Sequence, residues 1–155
     1  MQNLLISPEE VIELAFSPHD QIDPAILTDT RIEAAQLKFL APAFGTLYTA
    51  LCEGSYADFC REYIKPAAAY FVKYHLFLHL SVRIGNDGII RLNPPDSTPA
   101  GTSEIARLRR ESRQAAYLLL GKAYAFLRDH ASEFPKLGRG STRHRRARIS
   151  GGLVI

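Results

Sequence analysis

The stretch Ser55–Leu80, SYADFCREYIKPAAAYFVKYHLFLHL, decides the fold of this chain. Its aromatic and aliphatic residues recur at helical spacing, and further apolar residues cover most of the remaining circumference. A helix that is apolar on most sides is usually central in its domain, so the stretch predicts a long central helix. Pro66 lies inside it, with its ring opposed to the carbonyl of Glu62, and we expect a kink there.

Several further helices are predicted before and after this stretch. Ser7–Glu10 (SPEE) combines a capping serine, a proline and two carboxylates, which is typical of a helix start. Asp23-Pro24 repeats this signal, and Pro42 is expected to break or kink the second helix. Gly54 is the expected cap of a short following segment. Thr102 or Ser103 should cap the last long helix, whose predicted buried face comprises Ile105, Leu108, Ala115, Leu119, Ala123 and Phe126.

A change of period predicts a small β-hairpin over residues 82–92. Val82-Arg83-Ile84 and Ile89-Ile90-Arg91 flank Gly85-Asn86-Asp87-Gly88, a turn whose residues tolerate positive φ. The predicted fold class is therefore mostly all-α, a bundle of about four helices with a β-hairpin excursion and an extended C-terminal tail. We divide the chain into a helical domain, 1–137, and a basic, flexible tail, 138–155.

The charge of the chain is concentrated at its end. The net charge of +3 arises because the residues from Phe134 onward carry six cations and no acid, whereas the other 133 residues carry 13 basic and 16 acidic side chains. Charge placed at one end in this way indicates an interaction segment. No signal peptide or membrane-spanning run is visible, so we expect the chain to be cytoplasmic when made.

No catalytic, metal or cofactor site is predicted. His75 and His79 share a helix face at i, i+4 spacing, but position 76 is Leu where a zincin has Glu, so we interpret both as structural. Cys52 and Cys60 lie in apolar helical surroundings, which favours two buried thiols. Gly138–Thr142 lacks both the preceding strand and the Lys-Ser/Thr pair of a phosphate loop. We therefore predict that the chain is not an enzyme.

The tail carries the predicted partner-binding residues. A solvated terminus, phosphate binding and docking on an acidic protein surface are all compatible with such an arginine cluster. The apolar end of the chain favours protein docking, because it could add a strand to a neighbouring protein. The predicted docking residues of the tail are Arg139, Arg143, Arg145, Arg146, Arg148, Leu153, Val154 and Ile155. Those of the hairpin are Ile84, Asn86, Asp87 and Ile89.

The order of these elements resembles that of a known family. The stretches that carry the resemblance are Ile6–Val11 (ISPEEV), Phe39–Gly45 (FLAPAFG) with Leu47-Tyr48, Tyr63–Ala67 (YIKPA) with Ala69-Tyr70, Asn86–Ile89 (NDGI) and Phe134-Pro135. In this order and spacing the chain resembles the small helical head–tail connector proteins, also called head-completion or adaptor proteins, of tailed phages.

The resemblance implies a non-enzymatic subunit of a phage or prophage particle, without cofactors. Such a subunit would assemble into a homo-oligomeric ring beneath the portal, contact portal or tail components and line a DNA passage. It would be made in the cytoplasm of the bacterial host and end in the virion. The alternative, a small nucleic-acid-associated protein that binds phosphates through its arginine-rich tail, stays open.

Overall fold

The computed structural model describes residues 4–20, 22–80, 82–85, 88–91, 101–134, 149–150 and 153–154, and this part of the chain is mostly α-helical. The helical elements are α1 (Pro8–Ala15), α2 (Asp29–Ala35), α3 (Ala41–Phe44), α4 (Thr46–Cys52), α5 (Ala57–Phe59), α6 (Lys65–Leu80) and α7 (Thr102–Asp129). Because α2 runs on into α3 and α5 into α6, the described residues form five continuous helices. The prediction of about four was too low.

Two π-helical turns make these continuous helices possible. Gln36–Leu40 joins α2 to α3, and Cys60–Ile64 joins α5 to α6. Each turn closes with a hydrogen bond that spans five residues, from the Ala41 amide to the Gln36 carbonyl and from the Lys65 amide to the Cys60 carbonyl. The next residue is a proline in both helices, Pro42 and Pro66.

The π-helical turns accommodate these prolines. In an α-helix, a proline ring collides with the carbonyl four residues earlier, and a turn widened by one residue makes room for it. The predicted break at Pro42 was therefore wrong, because the helix continues to Phe44. At Pro66 the irregularity expected from the sequence takes the form of the π-helical turn that precedes it.

The two predicted start signals had different outcomes. At Ser7 the prediction is confirmed: its hydroxyl accepts from the Glu10 amide, and the Glu10 carboxylate accepts from the Ser7 amide at 3.0 Å. At Asp23-Pro24 the prediction was wrong, because these residues begin only the 3₁₀ turn Pro24–Ile26. The second helix begins at Asp29 instead.

Helix α6 is central, as the sequence predicts. It packs against α1, α2 and α7, and its Phe71 and Leu76 are fully buried. The largest buried side chains also include Ile6, Ile32, Leu40, Phe44, Leu47, Ile64 and Leu127. The core is therefore built where the remaining helices meet α6.

Helix α7 begins and packs differently from the prediction. Gly101 is its N-cap, one residue earlier than expected, and the Glu104 carboxylate accepts from the Gly101 amide at 3.0 Å. Its buried residues are Ser112, Ala116, Leu120, Ala123 and Leu127. Of the predicted face only Ala123 is among them, and Leu108 is exposed. Ala116, Leu120 and Leu127 each follow a predicted residue by one position, so half of the predicted face was rotated by one residue.

The end of the described body is held by an aromatic cluster. After α7, the 3₁₀ turn Ala131–Glu133 leads to Phe134, which is 4 % exposed. The Phe134 ring lies 4.6 Å from Tyr56, 5.1 Å from Phe59 and 6.1 Å from Phe126, measured between centroids. This cluster joins the end of the helical body to the start of its central helix.

The described residues also include two short antiparallel strand pairs. Strand β1 (Val82–Gly85) pairs with β2 (Gly88–Arg91), and β3 (Ile149–Ser150) pairs with β4 (Leu153–Val154). Val82 lies opposite Arg91, and Ile149 lies opposite Val154. The first pair follows α6 directly along the chain.

Candidate functional site

Most of the predicted docking residues fall outside the described residues. These are Asn86, Asp87, Arg139, Arg143, Arg145, Arg146, Arg148 and Ile155. Backbone pairing places Ile84 opposite Ile89, Ser150 opposite Leu153 and Ile149 opposite Val154. The predictions for the hairpin and for the tail therefore stay predictions, and the described surfaces come from the helical body.

A basic–aromatic cluster lies where three helices meet. We define it as Lys38 and Phe39 of the first π-helical turn, Tyr74, His75 and His79 of α6, and Arg109 of α7. Lys38 Nζ lies 5.4 Å from the Phe39 ring centroid, and Arg109 Cζ lies 4.7 Å from the Tyr74 ring centroid. The two rings meet edge to face at 5.9 Å. The cluster is thus a continuous row of cation, ring, ring and cation.

Packing beneath the cluster fixes its rings. Phe39 stacks on the buried Phe71 at 4.5 Å with an interplanar angle of 8°. Phe71 in turn meets the edge of Tyr117 at 5.2 Å, and Arg113 lies over the Tyr117 ring at 5.6 Å. Stacked and edge-to-face rings have few alternative rotamers available in such packing. The long side chains of the cluster therefore rest on a rigid base.

The cluster is electropositive. Ion pairs between described residues are Arg61–Asp58, Lys65–Glu10, Arg107–Glu111 and Arg128–Asp129. Within that part of the chain, neither Lys38 nor Arg109 has a carboxylate partner. The Arg109 Nε is shielded from solvent and finds no described acceptor. Residues 34–52 and 63–80, which supply all of the cluster except Arg109, contain no Asp or Glu.

The positive charge of the cluster affects the pKa of His75. Burial lowers its pKa first, and the positive charges of Lys38, His79, Arg109 and Arg31 lower it further. The charged groups that shift the pKa of His75 are all cations or become cations when protonated. A group that supplies negative charge here would therefore be favoured electrostatically.

The same histidines were weighed as metal ligands from the sequence. His75 is half-buried and His79 exposed, and their rings lie edge to face with centroids 6.1 Å apart. Within the described ranges, no set of three or more His, Cys, Asp or Glu side chains is arranged to hold a metal ion. Their described neighbours are cations and rings.

A groove runs between α6, α7 and the segment after α1, with a volume of about 550 Å³. Phe16, Tyr70, Phe77 and Leu108 supply much of its apolar lining. Lys73 lies inside it, with Nζ 4.5 Å from the Phe16 ring centroid, and donates to the Ala15 carbonyl at 2.7 Å. Burial lowers the pKa of Lys73. This lysine caps the end of α1, so its part in the groove is structural.

The outer face of α7 carries an exposed apolar and basic surface, which we name the α7 patch. Its residues are Arg110, Arg113, Gln114, Tyr117 and Leu118. Leu118 is 72 % exposed and Tyr117 47 % exposed, the largest values among the big apolar side chains of the described residues. Apolar groups this exposed, between arginines, are typical of interaction surfaces.

The N-terminal region has the opposite charge. Residues 1–30 contain six acidic side chains and no Lys or Arg. Glu9 and Glu13 lie exposed on α1 beside Leu14, which is 37 % exposed. In contrast, residues 105–113 of α7 contain four arginines and one acid. The helical body therefore carries an acidic region and a basic region on different elements.

The cysteines are buried to different degrees. Cys60 is buried and Cys52 half-buried. Burial raises the pKa of the Cys60 thiol to about 11, against the opposing charge of Lys65. Burial likewise raises the pKa of the Cys52 thiol. Neither thiol has the lowered pKa of a reactive cysteine.

Sequence reasoning missed the basic–aromatic cluster and the α7 patch. It interpreted both histidines as structural and placed all interaction residues in the hairpin and the tail. A signal was available, because Arg107, Arg109, Arg110 and Arg113 follow one another closely in a single helix. Their partners from the first π-helical turn and α6 lie about 30 to 70 residues away and could not be identified without the fold.

Three comparisons with known proteins complete these observations. A protein-family model described as a family of unknown function (DUF6712) matches residues 27–146. The match covers α2 to α7 and begins after α1. No curated protein and no solved structure matches the chain. In the part of the chain that the structure describes, no helix is long and apolar enough to cross a membrane.

Proposed function

The chain belongs to the DUF6712 family of unknown function, and we propose that it is a non-enzymatic structural subunit of a phage or prophage particle. In this proposal it is similar to head–tail connector proteins and assembles into a ring by protein–protein docking. Its partners are further copies of itself and other virion proteins such as portal or tail components. It needs no cofactor, is made in the cytoplasm of the bacterial host and ends in the virion.

The division of charge within the helical body is the observation that carries the proposal. Residues 1–30 are acidic without a single Lys or Arg, whereas α7 exposes arginines beside Tyr117 and Leu118. A head-to-tail contact places one surface of a subunit against a different surface of the next, and such contacts close into rings. The α1 face with Glu9, Glu13 and Leu14 complements the α7 patch in charge and in apolar character.

In this arrangement the remaining segments dock on other particle components. The predicted hairpin, residues 82–92, and the basic tail, residues 138–155, would engage the portal or the tail. A tail that becomes ordered on assembly would lose conformational entropy only at that stage. The finer architecture, helices side by side around a ring with docking segments at its edges, is part of the same proposal.

Native mass spectrometry across a concentration series tests ring assembly. We expect a closed ring of roughly a dozen copies for the full-length protein and loss of the ring for a chain that ends at Leu137. A strict monomer of the full-length protein at every concentration would contradict self-assembly. Unchanged rings of the shortened chain would remove the tail from the proposal and leave the helical body as the docking unit.

A charge exchange tests which surfaces meet. The variant Glu9→Lys/Glu13→Lys and the variant Arg110→Glu/Arg113→Glu should each lose the ring, because each places like charges opposite each other. Combining all four substitutions should restore it. The matched control is Arg128→Glu/Asp129→Lys, which inverts an exposed ion pair at the end of α7 and should leave the ring intact. Failure of the combined variant to recover would contradict this pair of surfaces.

The second candidate function is a small nucleic-acid-associated protein that binds phosphates through its tail. The clustering of Arg139, Arg143, Arg145, Arg146 and Arg148 within ten residues favours it. It predicts binding to short duplex DNA that falls steeply with salt and disappears with residues 138–155. Such binding by a strict monomer would favour this function over the connector.

A further inference from the structure

The basic–aromatic cluster combines three properties that the packing of the body does not require. Its cations come from separate helices, they rest on rings, and they have no carboxylate partner among the described residues. Bringing like charges together destabilises a fold unless an anion balances them. We infer that the basic–aromatic cluster binds the sugar–phosphate backbone of a nucleic acid, with Lys38 and Arg109 as its phosphate contacts.

The geometry explains how two separated phosphates would be held. Lys38 and Arg109 stand at the two ends of the row, with the Phe39 and Tyr74 rings between them. The rings lie against the charged ends of both side chains and restrict their rotamers, so less rotamer freedom is lost on binding. Phe39 and Tyr74 are both partly exposed, and such rings beside phosphate contacts can stack on bases. A polymer with regularly spaced phosphates fits this row better than a single small anion.

His75 lies near Lys38 and Arg109, and His79 follows it one turn later on α6. A bound phosphate backbone would favour the protonated imidazole of His75, so binding would raise its pKa. Since the protonated form is then favoured in the complex, affinity increases as the pH falls. The charged and titratable neighbours of His75 are Arg31 of α2, Lys38 of the first π-helical turn, His79 of α6 and Arg109 of α7. The nearby Glu111 is paired with Arg107.

This site is separate from the arginine tail and does not depend on ring assembly. Its residues belong to residues 38–109 of the helical body, whereas the tail begins at residue 138. An experiment must therefore distinguish the two sources of binding within the full chain. Neutralising the tail by Arg143→Gln, Arg145→Gln, Arg146→Gln and Arg148→Gln provides a suitable background that keeps its length.

The test measures fluorescence anisotropy of a labelled DNA 20-mer, single-stranded and duplex, across a salt series. In the tail-neutralised chain, we expect Lys38→Gln/Arg109→Gln to weaken binding about tenfold or more. The slope of log affinity against log salt should fall in magnitude by about 1.8 for the duplex and about 1.4 for the single strand, because two phosphate contacts are lost. The matched control is Arg128→Gln, an exposed arginine of α7 that is paired with Asp129. It should leave both quantities unchanged.

Two further variants separate binding from folding. Lys38→Arg/Arg109→Lys keeps both charges and should retain most of the affinity, which a general loss of structure would not allow. His75→Gln should remove the increase in affinity between about pH 8 and pH 6, with His130→Gln as control.

Three outcomes would overturn the inference. The first is equal DNA affinity and equal salt slope with and without Lys38 and Arg109. The second is competition by inorganic phosphate at equal phosphate concentration, which would indicate a small-anion site. The third is loss of the ring in native mass spectra with unchanged DNA binding, which would assign the cluster to an acidic protein surface.

Discussion

Gln36 is a polar side chain that is buried in the core, where it forms a hydrogen bond with the backbone. Its side chain is 2 % exposed, and its Oε1 accepts a hydrogen bond from the Leu5 amide at 2.8 Å. This bond connects the first described residues to the first π-helical turn. A buried amide without an acceptor is costly, so Gln36 matters more through this contact than through its own packing.

Replacing Gln36 with Ala should therefore destabilise the protein. We expect the free energy of unfolding to fall by about 1–3 kcal/mol, because the Leu5 amide is left buried without an acceptor. Urea unfolding followed by circular dichroism measures it. The control is Gln114→Ala on the exposed face of α7, which should change the value by less than about 0.5 kcal/mol. An equal effect of both substitutions would contradict the role of the Leu5 contact.

Glu10 gives the fold a pH dependence. Burial raises its pKa, but hydrogen bonds from Lys65 and from the Ser7 amide, with the charge of Lys65, outweigh burial and lower it below 4.5. The stabilisation by this carboxylate is thus present above pH 4.5 and is lost as the pH falls through the lower, folded value.

Glu10→Gln tests this linkage, because glutamine keeps the capping geometry and removes the charge. At pH 7 we expect a loss of about 0.5–1 kcal/mol in the free energy of unfolding, since the pair is partly exposed. The loss should shrink as the pH falls below about 4.5. Glu13→Gln, on the exposed side of α1, is the control and should show no such change. A loss that is independent of pH would assign the effect to packing.

At the scale of elements, the two long helices depend on their π-helical turns. Sequence reasoning located the irregularities correctly, at Pro42 and Pro66, but expected a break or a kink. A proline in the sequence indicates that a regular α-helix is disturbed at that position. Whether the helix ends or continues there depends on its packing against the other helices. Similar reasoning applies to Asp23-Pro24, where a valid start signal precedes only a 3₁₀ turn.

The cost of Pro42 should consequently be small. Removing an unaccommodated proline from a helix interior gains about 3 kcal/mol, but for Pro42→Ala we expect a change of less than about 1 kcal/mol. Thermal and urea unfolding provide the measurement. Pro8→Ala, at the first position of α1, is the reference for a proline that disturbs nothing. A gain near 3 kcal/mol would show that the turn does not relieve the proline.

In α7, the spacing of apolar residues in the sequence does not identify which face of the helix is buried. Leu118, Leu119 and Leu120 are consecutive, so apolar residues occupy neighbouring faces and more than one stripe is compatible with the sequence. The structure buries Leu120 and leaves Leu118 72 % exposed. Only the shapes of α6 and its neighbours select between these faces, and that selection leaves the α7 patch on the surface.

At the scale of the whole molecule, Phe134 is the buried aromatic residue at the end of the described part of the helical body. The sequence predicted a mostly helical domain with α6 at its centre, and both features are confirmed. It placed the domain boundary near residue 137 because the composition changes there, and the division into body and tail stays a prediction. The aromatic cluster around Phe134 supplies a physical criterion for that boundary.

Two shortened chains test it. A chain that ends at Leu137 should keep the free energy of unfolding of the full-length protein to within about 0.5 kcal/mol. A chain that ends at Glu133 loses the Phe134 ring from its cluster and should be less stable by about 3–5 kcal/mol. Differential scanning calorimetry compares the three chains. Equal stability of the two shortened forms would show that Phe134 does not close the core.

The π-helical turns also constrain how chain length can vary among relatives. Each successive residue of a helix turns the following side chains by about 100°, so one extra residue sets the orientation of everything after it. A π-helical turn absorbs one extra residue without that rotation, so deleting one residue from Gln36–Leu40 or Cys60–Ile64 would restore a regular α-helical turn and keep Phe44, Phe71 and Leu76 facing the core. Single-residue deletions within the helices of family members should therefore occur at these two turns and be accompanied by loss of the following proline, whose ring would otherwise collide with the carbonyl four residues earlier.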